Sequence, residues 1–176
     1  MKVRRVVTGH SPDGKATVAS DTEVDALEFL LAPGSEFHRL WGADEVPTFP
    51  DNGAPRPMPT YFPPLGGFRF GLFTVPPEQT AQPENFDWEL ALKEVEKKFP
   101  GLLAYLEPDS PGMHATNTID FEYVISGDVF LELDDSVEIH LRPGDTVVQN
   151  GTRHAWCNKG TEPCRMVVCM IGANRS

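Results

Sequence analysis

From Met113 onward, apolar and polar residues alternate with a period of two, as strands with one buried face do. The stretches TNTIDFEYVIS, VFLELD, SVEIHL, TVVQN, TRHAWCN and CRMVVCMIG are divided by GD, DD, RPGD, GT and KGTEP. Short strands at this spacing predict a sandwich or barrel. Earlier in the chain, KVRRVV, ATVAS, ALEFLLA and FHRLWG read as strands separated by SPDGK and APGS turns, and FRFGLFTV, from Phe68 to Val75, as a further one. Only one segment carries helical spacing. Trp88, Leu92, Val95 and Phe99 predict a helix over about Asp87 to Lys98 whose apolar stripe packs on the core. Asp87 is placed to cap its start, and Pro100-Gly101 ends it.

Residues 43 to 65 show no periodicity. Ten of the 17 prolines fall between Pro47 and Pro83. A long loop without regular structure inside a compact domain is often a lid or a wrapping arm, and Phe49, Tyr61 and Phe62 predict that this one packs on something. The chain divides into an N-terminal strand arm and Pro-rich loop (1–65), a barrel-edge strand plus helix (66–110) and a strand-rich core (111–176), one domain overall.

At 176 residues the chain can bury a core without staples. The net charge of −11 argues against nucleic acid and against an anionic membrane surface. No apolar run approaches the roughly 20 residues of a spanning helix, and MKVRRVVTGHSPDG lacks the apolar stretch of a secretory signal. The expectation is a cytoplasmic protein. Cys157, Cys164 and Cys169 then read as reduced thiols, although Cys157 and Cys164 could face each other across the KGTEP turn.

Candidate chemistry lies on one strand face. His114, Thr116, Thr118, Asp120 and Glu122 share a face if the strand is regular, and Ile119, Phe121, Tyr123 and Ile125 share the other. The polar face could meet solvent, or it could line the inside of a ligand-holding barrel. In TRHAWCN, His154 shares a face with Trp156, which is unusual for a plain solvent face. Gln149 could direct a polar group into the same pocket, and Trp156 could stack on a ligand ring or fill the barrel. His10 and His140 read as solvated. His38 and Trp41 fit a pocket mouth or, better, an arm packed on the barrel or a partner.

Two stretches resemble the paired motifs of the cupin superfamily. GDTVVQNGTRHAWCN carries Gly144, Gly151, His154 and Asn158 in the pattern of the second motif, with Asn150 where a Pro is usual. HATNTIDFEYVISG carries His114 and Gly127 of the first, with Thr116 where a second His is usual and Asp120 where Glu is usual. The chain is also similar to single-domain cupins labelled oxidoreductases in fungal polyketide clusters and to their uncharacterised bacterial relatives. The resemblance implies an all-β fold with one helix: a cupin jelly-roll β-barrel with an N-terminal strand arm.

It also implies a small-molecule site in the barrel. His114, Asp120, Glu122 and His154 are the catalytic candidates, and Thr116, Gln149 and Trp156 the substrate-binding ones. The family's usual metal set would leave His114, Asp120 and His154 here, two imidazoles and one carboxylate for one divalent Fe, Zn or Mn. Thr116 and the shorter Asp120 weaken that set. Three functions therefore stand open. One is an enzyme acting on a small oxygenated, aromatic or polyketide-like molecule by metal-assisted or His/carboxylate acid–base chemistry, such as isomerisation, dehydration, cyclisation or decarboxylation. The second is an Fe(II) oxygenase, and the third a non-catalytic small-molecule binder. A homodimer through the arm is expected, with neither nucleic acid nor membrane as partner.

Overall fold

In a computed structural model, described here for residues 1–80 and 86–176, the chain forms ten strands and one α-helix. In order these are β1 (Lys2–His10), β2 (Ala16–Asp25), β3 (Phe37–Ala43), β4 (Phe68–Val75), α1 (Trp88–Lys98), β5 (Thr118–Ser126), β6 (Val129–Glu132), β7 (Glu138–Leu141), β8 (Thr146–Gln149), β9 (Ala155–Cys157) and β10 (Cys164–Gly172). The arm strands β1 and β2 form a ribbon of their own. A five-stranded sheet runs β3-β4-β10-β5-β8, and a three-stranded sheet runs β7-β6-β9. The architecture is mostly β with a single helix, two facing sheets in a jelly-roll arrangement. No helix among the described residues is long and apolar enough to cross a membrane.

The core lies between the two larger sheets. Phe73, Val124, Val129, Leu131, Leu141, Cys164, Met166, Val168 and Met170 form one buried cluster there, closed by Phe62 from the Pro-rich loop. Period-two alternation decides which residues reach it. On β10, Cys164, Met166, Val168 and Met170 point in, and their neighbours point out. On β5 the polar set points in. Thr118, Asp120 and Glu122 are buried, while Phe121, Tyr123 and Ile125 are exposed.

Two motif glycines are required by their backbone. Gly127 has φ 72°, and an added Cβ would stand 2.5 Å from the Pro163 carbonyl oxygen. Gly151 has φ 59°, with the Thr116 carbonyl oxygen 2.8 Å from an added Cβ. Both lie where L side chains are strained and a neighbouring chain passes close.

The structure corrects two expectations. ALEFLLA is not a strand. Leu27 makes a single bridge to Phe37, and the chain then turns. The Leu30 N–H is taken by Glu94 of the helix at 2.8 Å, and the Phe29 ring packs edge-on against Phe99 at 5.1 Å. Side-chain contacts with α1 thus replace ladder pairing. The helix itself forms as expected, with the Asp87 side chain accepting from the Leu90 N–H at 3.0 Å. Its buried stripe, however, is Ala91, Val95 and Phe99, while Trp88 and Leu92 are exposed. The helix approaches the barrel through its small-residue side, and Phe99 anchors it among Phe29, Phe37 and Tyr61.

The Pro-rich loop contains no helix or strand between Ala43 and Phe68. Proline supplies no N–H to a ladder, so side chains from the sheet hold the loop instead. Arg39 donates to the carbonyls of Met58 and Thr60 at 3.0 and 3.1 Å, and Arg69 donates to Thr60 at 3.2 Å. The Tyr61 N–H donates to the Pro100 carbonyl at 2.9 Å. The loop is therefore a strap across the barrel, and its Tyr61 and Phe62 are the aromatics that pack.

Candidate active site

Strand register places the interior polar residues in rows. One row reads Gly42, Arg69, Met170, Asp120, Gln149 across β3-β4-β10-β5-β8. The next reads Arg39, Gly71, Val168, Glu122, Val147. Paired residues share a face, so the sheet turns arginines inward at one side and carboxyls inward at the other.

Asp120 and Glu122 are each 5% exposed. Asp120 Oδ1 and Glu122 Oε2 are buried with no hydrogen-bond partner among the described residues. A buried acceptor left unmatched is uncommon and costs about 1–3 kcal/mol or more. Burial pushes the Asp120 carboxyl up to about 6, against which Thr118 acts as a hydrogen-bond donor. Burial, and then the neighbouring charge of Asp120, pushes Glu122 up to about 8. Near neutrality the pair therefore holds one proton, on Glu122.

The two histidines form a second pair. Their backbones exchange N–H···O bonds of 2.9 Å in both directions, and the ring centroids are 4.2 Å apart. His114 Nδ1 meets the Gly112 carbonyl and His154 Nδ1 meets the Thr152 carbonyl, each at 2.9 Å. Burial, and then His114, lowers His154 to about 4; burial lowers His114 as well. Both rings are neutral at pH 7. The Trp156 ring stands 5.9 Å from His154 and 6.2 Å from Phe73, half-buried against the core.

The remaining candidates are already engaged. The Thr116 and Thr118 hydroxyls share a 2.7 Å hydrogen bond. Gln149 Nε2 donates to the Thr152 hydroxyl at 2.6 Å and to its carbonyl at 3.1 Å. Asn158 ties two loops together, donating to the Val75 and Glu162 carbonyls and accepting from the Gly160 N–H, all at 2.9 Å. His38 Nε2 lies 2.8 Å from the Met1 carbonyl, under the arm. Cys157, Cys164 and Cys169 are free thiols.

Among the described residues, no three of His, Cys, Asp and Glu are gathered into a group able to hold a metal ion. His114, Asp120 and His154 stand as members of two separate pairs, so this donor set does not fit the metal that the resemblance implied.

Two groups escaped the sequence reading. Tyr61 sits on the strap, its hydroxyl without a hydrogen bond among the described residues, and it senses Arg39, Asp120 and Glu122 electrostatically. Arg39 lines the same interior. The available signal was the alternation of FHRLWG, which puts Arg39 on the inward face with Phe37 rather than with His38 and Leu40.

Residues 103–170 match the family model described as Cupin domain. The chain is similar to cupin domains over that stretch, which is less than half of its length. It is 36% identical over 81 residues to a cupin-domain-containing oxidoreductase of Aspergillus ruber, covering 42% of this chain and 40% of that one. It is 43% identical over 62 residues to phomopsin biosynthesis cluster protein C′ of Diaporthe leptostromiformis, covering 35% and 33%. The chain thus matches well under half the length of these relatives. Among solved structures it is similar to the cupin domain of Schizosaccharomyces pombe Cnp3, with a TM-score of 0.49, 10% identity, and coverage of 96% of this chain and 87% of that one.

Proposed function

We propose that this protein is a cupin-type enzyme that moves protons on a small oxygenated molecule held in the barrel, with Asp120 and Glu122 as its acid–base pair. One observation carries the reading: two inward carboxyls, side by side on β5, each buried with an oxygen that no group among the described residues satisfies. Such a pair sharing one proton near pH 7 can take a proton and give one in the same site. In a 1,3-shift, the Asp120 carboxylate accepts the proton from a carbon beside a carbonyl. The C–H electrons form a new C=C bond to the next carbon, and the electrons of the original C=C bond take the Glu122 proton at the far carbon. Proton transfer from Asp120 to Glu122 restores the starting state, so no redox partner is needed. The naming of relatives after fungal biosynthesis clusters fits a small organic substrate.

The test is deuterium exchange from D₂O into a panel of small enolisable ketones and 1,3-dicarbonyls, followed by NMR. Protein-dependent exchange should fall at least 100-fold in Glu122→Gln and in Asp120→Asn. Exchange that survives both substitutions overturns the assignment. Saturable binding of a panel member without exchange would favour a non-catalytic binding cupin instead.

A further inference from the structure

Arg39 differs from the other arginine of the interior. Arg69 has both terminal nitrogens engaged: Nη1 donates to the Ala43 and Phe68 carbonyls, and Nη2 reaches Asp44 at 2.5 Å and Thr60 at 3.2 Å, while its Nε is buried without a partner among the described residues. Arg39 donates only through Nη2, to the two strap carbonyls. Its Nη1 and Nε have no acceptor, and it forms no ion pair among the described residues. Desolvation and the charge of Arg69 both act against its own charge. A half-buried guanidinium with open donors, beside a second cation, is an incomplete anion site.

The cavity beside it has a matching shape. Arg39, Tyr61, Arg69, Gly71, Val168 and Met170 line a space with room for about one water molecule, opening at the β3–β4 edge. Gly71 and Val168 are the two residues between Arg39 and Glu122 in their row. Glycine contributes no side chain and valine a short one, so the row is hollow at its middle. Three strand spacings, about 14 Å of backbone, separate two long side chains that both point inward. Tyr61, on the strap, lines the same space, and its hydroxyl makes no hydrogen bond among the described residues.

We propose that Arg39, with the Tyr61 hydroxyl, is a subsite for an anionic oxygen of the substrate, a carboxylate or an enolate, which docks there while the rest of the molecule faces Glu122. This deepens the acid–base reading and rests on it for the reaction, though not for the binding. It names the substrate class as a small oxo-acid or acidic enol. A neutral alkene or amine would leave Arg39 unsatisfied.

The probe is acetate, with acetamide as its uncharged counterpart, titrated against ¹⁵N-labelled protein while the arginine side-chain signals are read by NMR. Acetate should shift the Arg39 signal saturably, and acetamide should not. Arg39→Gln should weaken acetate binding at least tenfold. Arg39→Lys keeps the charge and should retain a measurable part of it. Tyr61→Phe should weaken it severalfold, and Glu122→Gln should leave it in place. Equal acetate binding in Arg39→Gln and the parent, or an acetamide response matching that of acetate, overturns the subsite. If Arg39→Gln does not fold, Arg39→Lys decides through the acetate-to-acetamide ratio, which must stay above one. Should acetate binding follow Arg39 while exchange into carbonyl compounds survives Glu122→Gln, the subsite stands and the acid–base assignment falls. The converse pattern removes the subsite alone.

Discussion

The rings of His114 and His154 face each other at 4.2 Å, each turning Nδ1 toward a backbone carbonyl. A carbonyl only accepts, so Nδ1 carries the proton in both neutral rings and Nε2 is left as a lone-pair acceptor. Long-range ¹⁵N NMR at pH 7 should show both rings as the Nδ1–H tautomer. Protonating one ring opposes protonation of the other, so His114→Ala should raise the His154 titration point. A downward or absent shift would mean that the rings do not interact.

Opposing carboxyl and imidazole effects shape the dependence of stability on pH. The folded protein keeps the Glu122 proton up to about pH 8, whereas the usual value is 4.5. Between those values the native state binds more protons than the unfolded chain, so stability falls as pH rises. Asp120 acts with the same sign up to about 6. His154 acts oppositely: its value is lowered from 6.5 to about 4, so stability falls as pH drops through that window. Above pH 7 the slope belongs chiefly to Glu122. The unfolding free energy of the parent, from urea titrations, should decline there by up to about 1.4 kcal/mol per pH unit, and Glu122→Gln should flatten the decline. An unchanged slope in the variant would refute the buried, protonated Glu122.

Phe99 is fully buried and makes edge contacts with Phe29, Phe37 and Tyr61 at 5.1 to 5.3 Å. It joins the helix, the strap and β3. Phe99→Ala should cost about 3–5 kcal/mol, and hydrogen exchange at the Tyr61 N–H, bonded to Pro100, should accelerate more than that of the β5 amides. Uniform acceleration would show that Phe99 supports the whole barrel rather than the strap.

The outer face of the five-stranded sheet carries the apolar row Phe70, Cys169, Phe121, Val148 in register, with Tyr123, Ile125 and Ile171 around it. We propose that a second copy of the chain covers this face. The five strands, of 7, 8, 9, 9 and 4 residues at about 4.8 Å spacing, present roughly 600 Å², about three quarters of the ~800 Å² per partner of a stable interface. Sedimentation should show a dimer at micromolar concentration and a monomer for Phe121→Glu. A monomeric parent protein would refute the arrangement.

Much of this protein could be read locally. The β5 alternation placed Thr118, Asp120 and Glu122 on one face and Phe121 and Tyr123 on the other, because side-chain direction along a strand depends only on the pleat. Asp87 and Pro100-Gly101 delimited the helix because caps and breakers act within a turn. Three features required the tertiary structure. Which β5 face is inside depended on the sheet opposite it, since both faces carry groups that a barrel could bury. Which helix stripe is buried depended on the strap and on Phe29, neither of which has a helical period. That Tyr61 comes within electrostatic reach of Arg39, Asp120 and Glu122, and that the histidines pair with each other instead of with Asp120, follows from how the strap packs and from strand order and register. Those long-range pairings bring together residues up to about a hundred positions apart, as Phe68 and Ile171 are, and no local pattern encodes them.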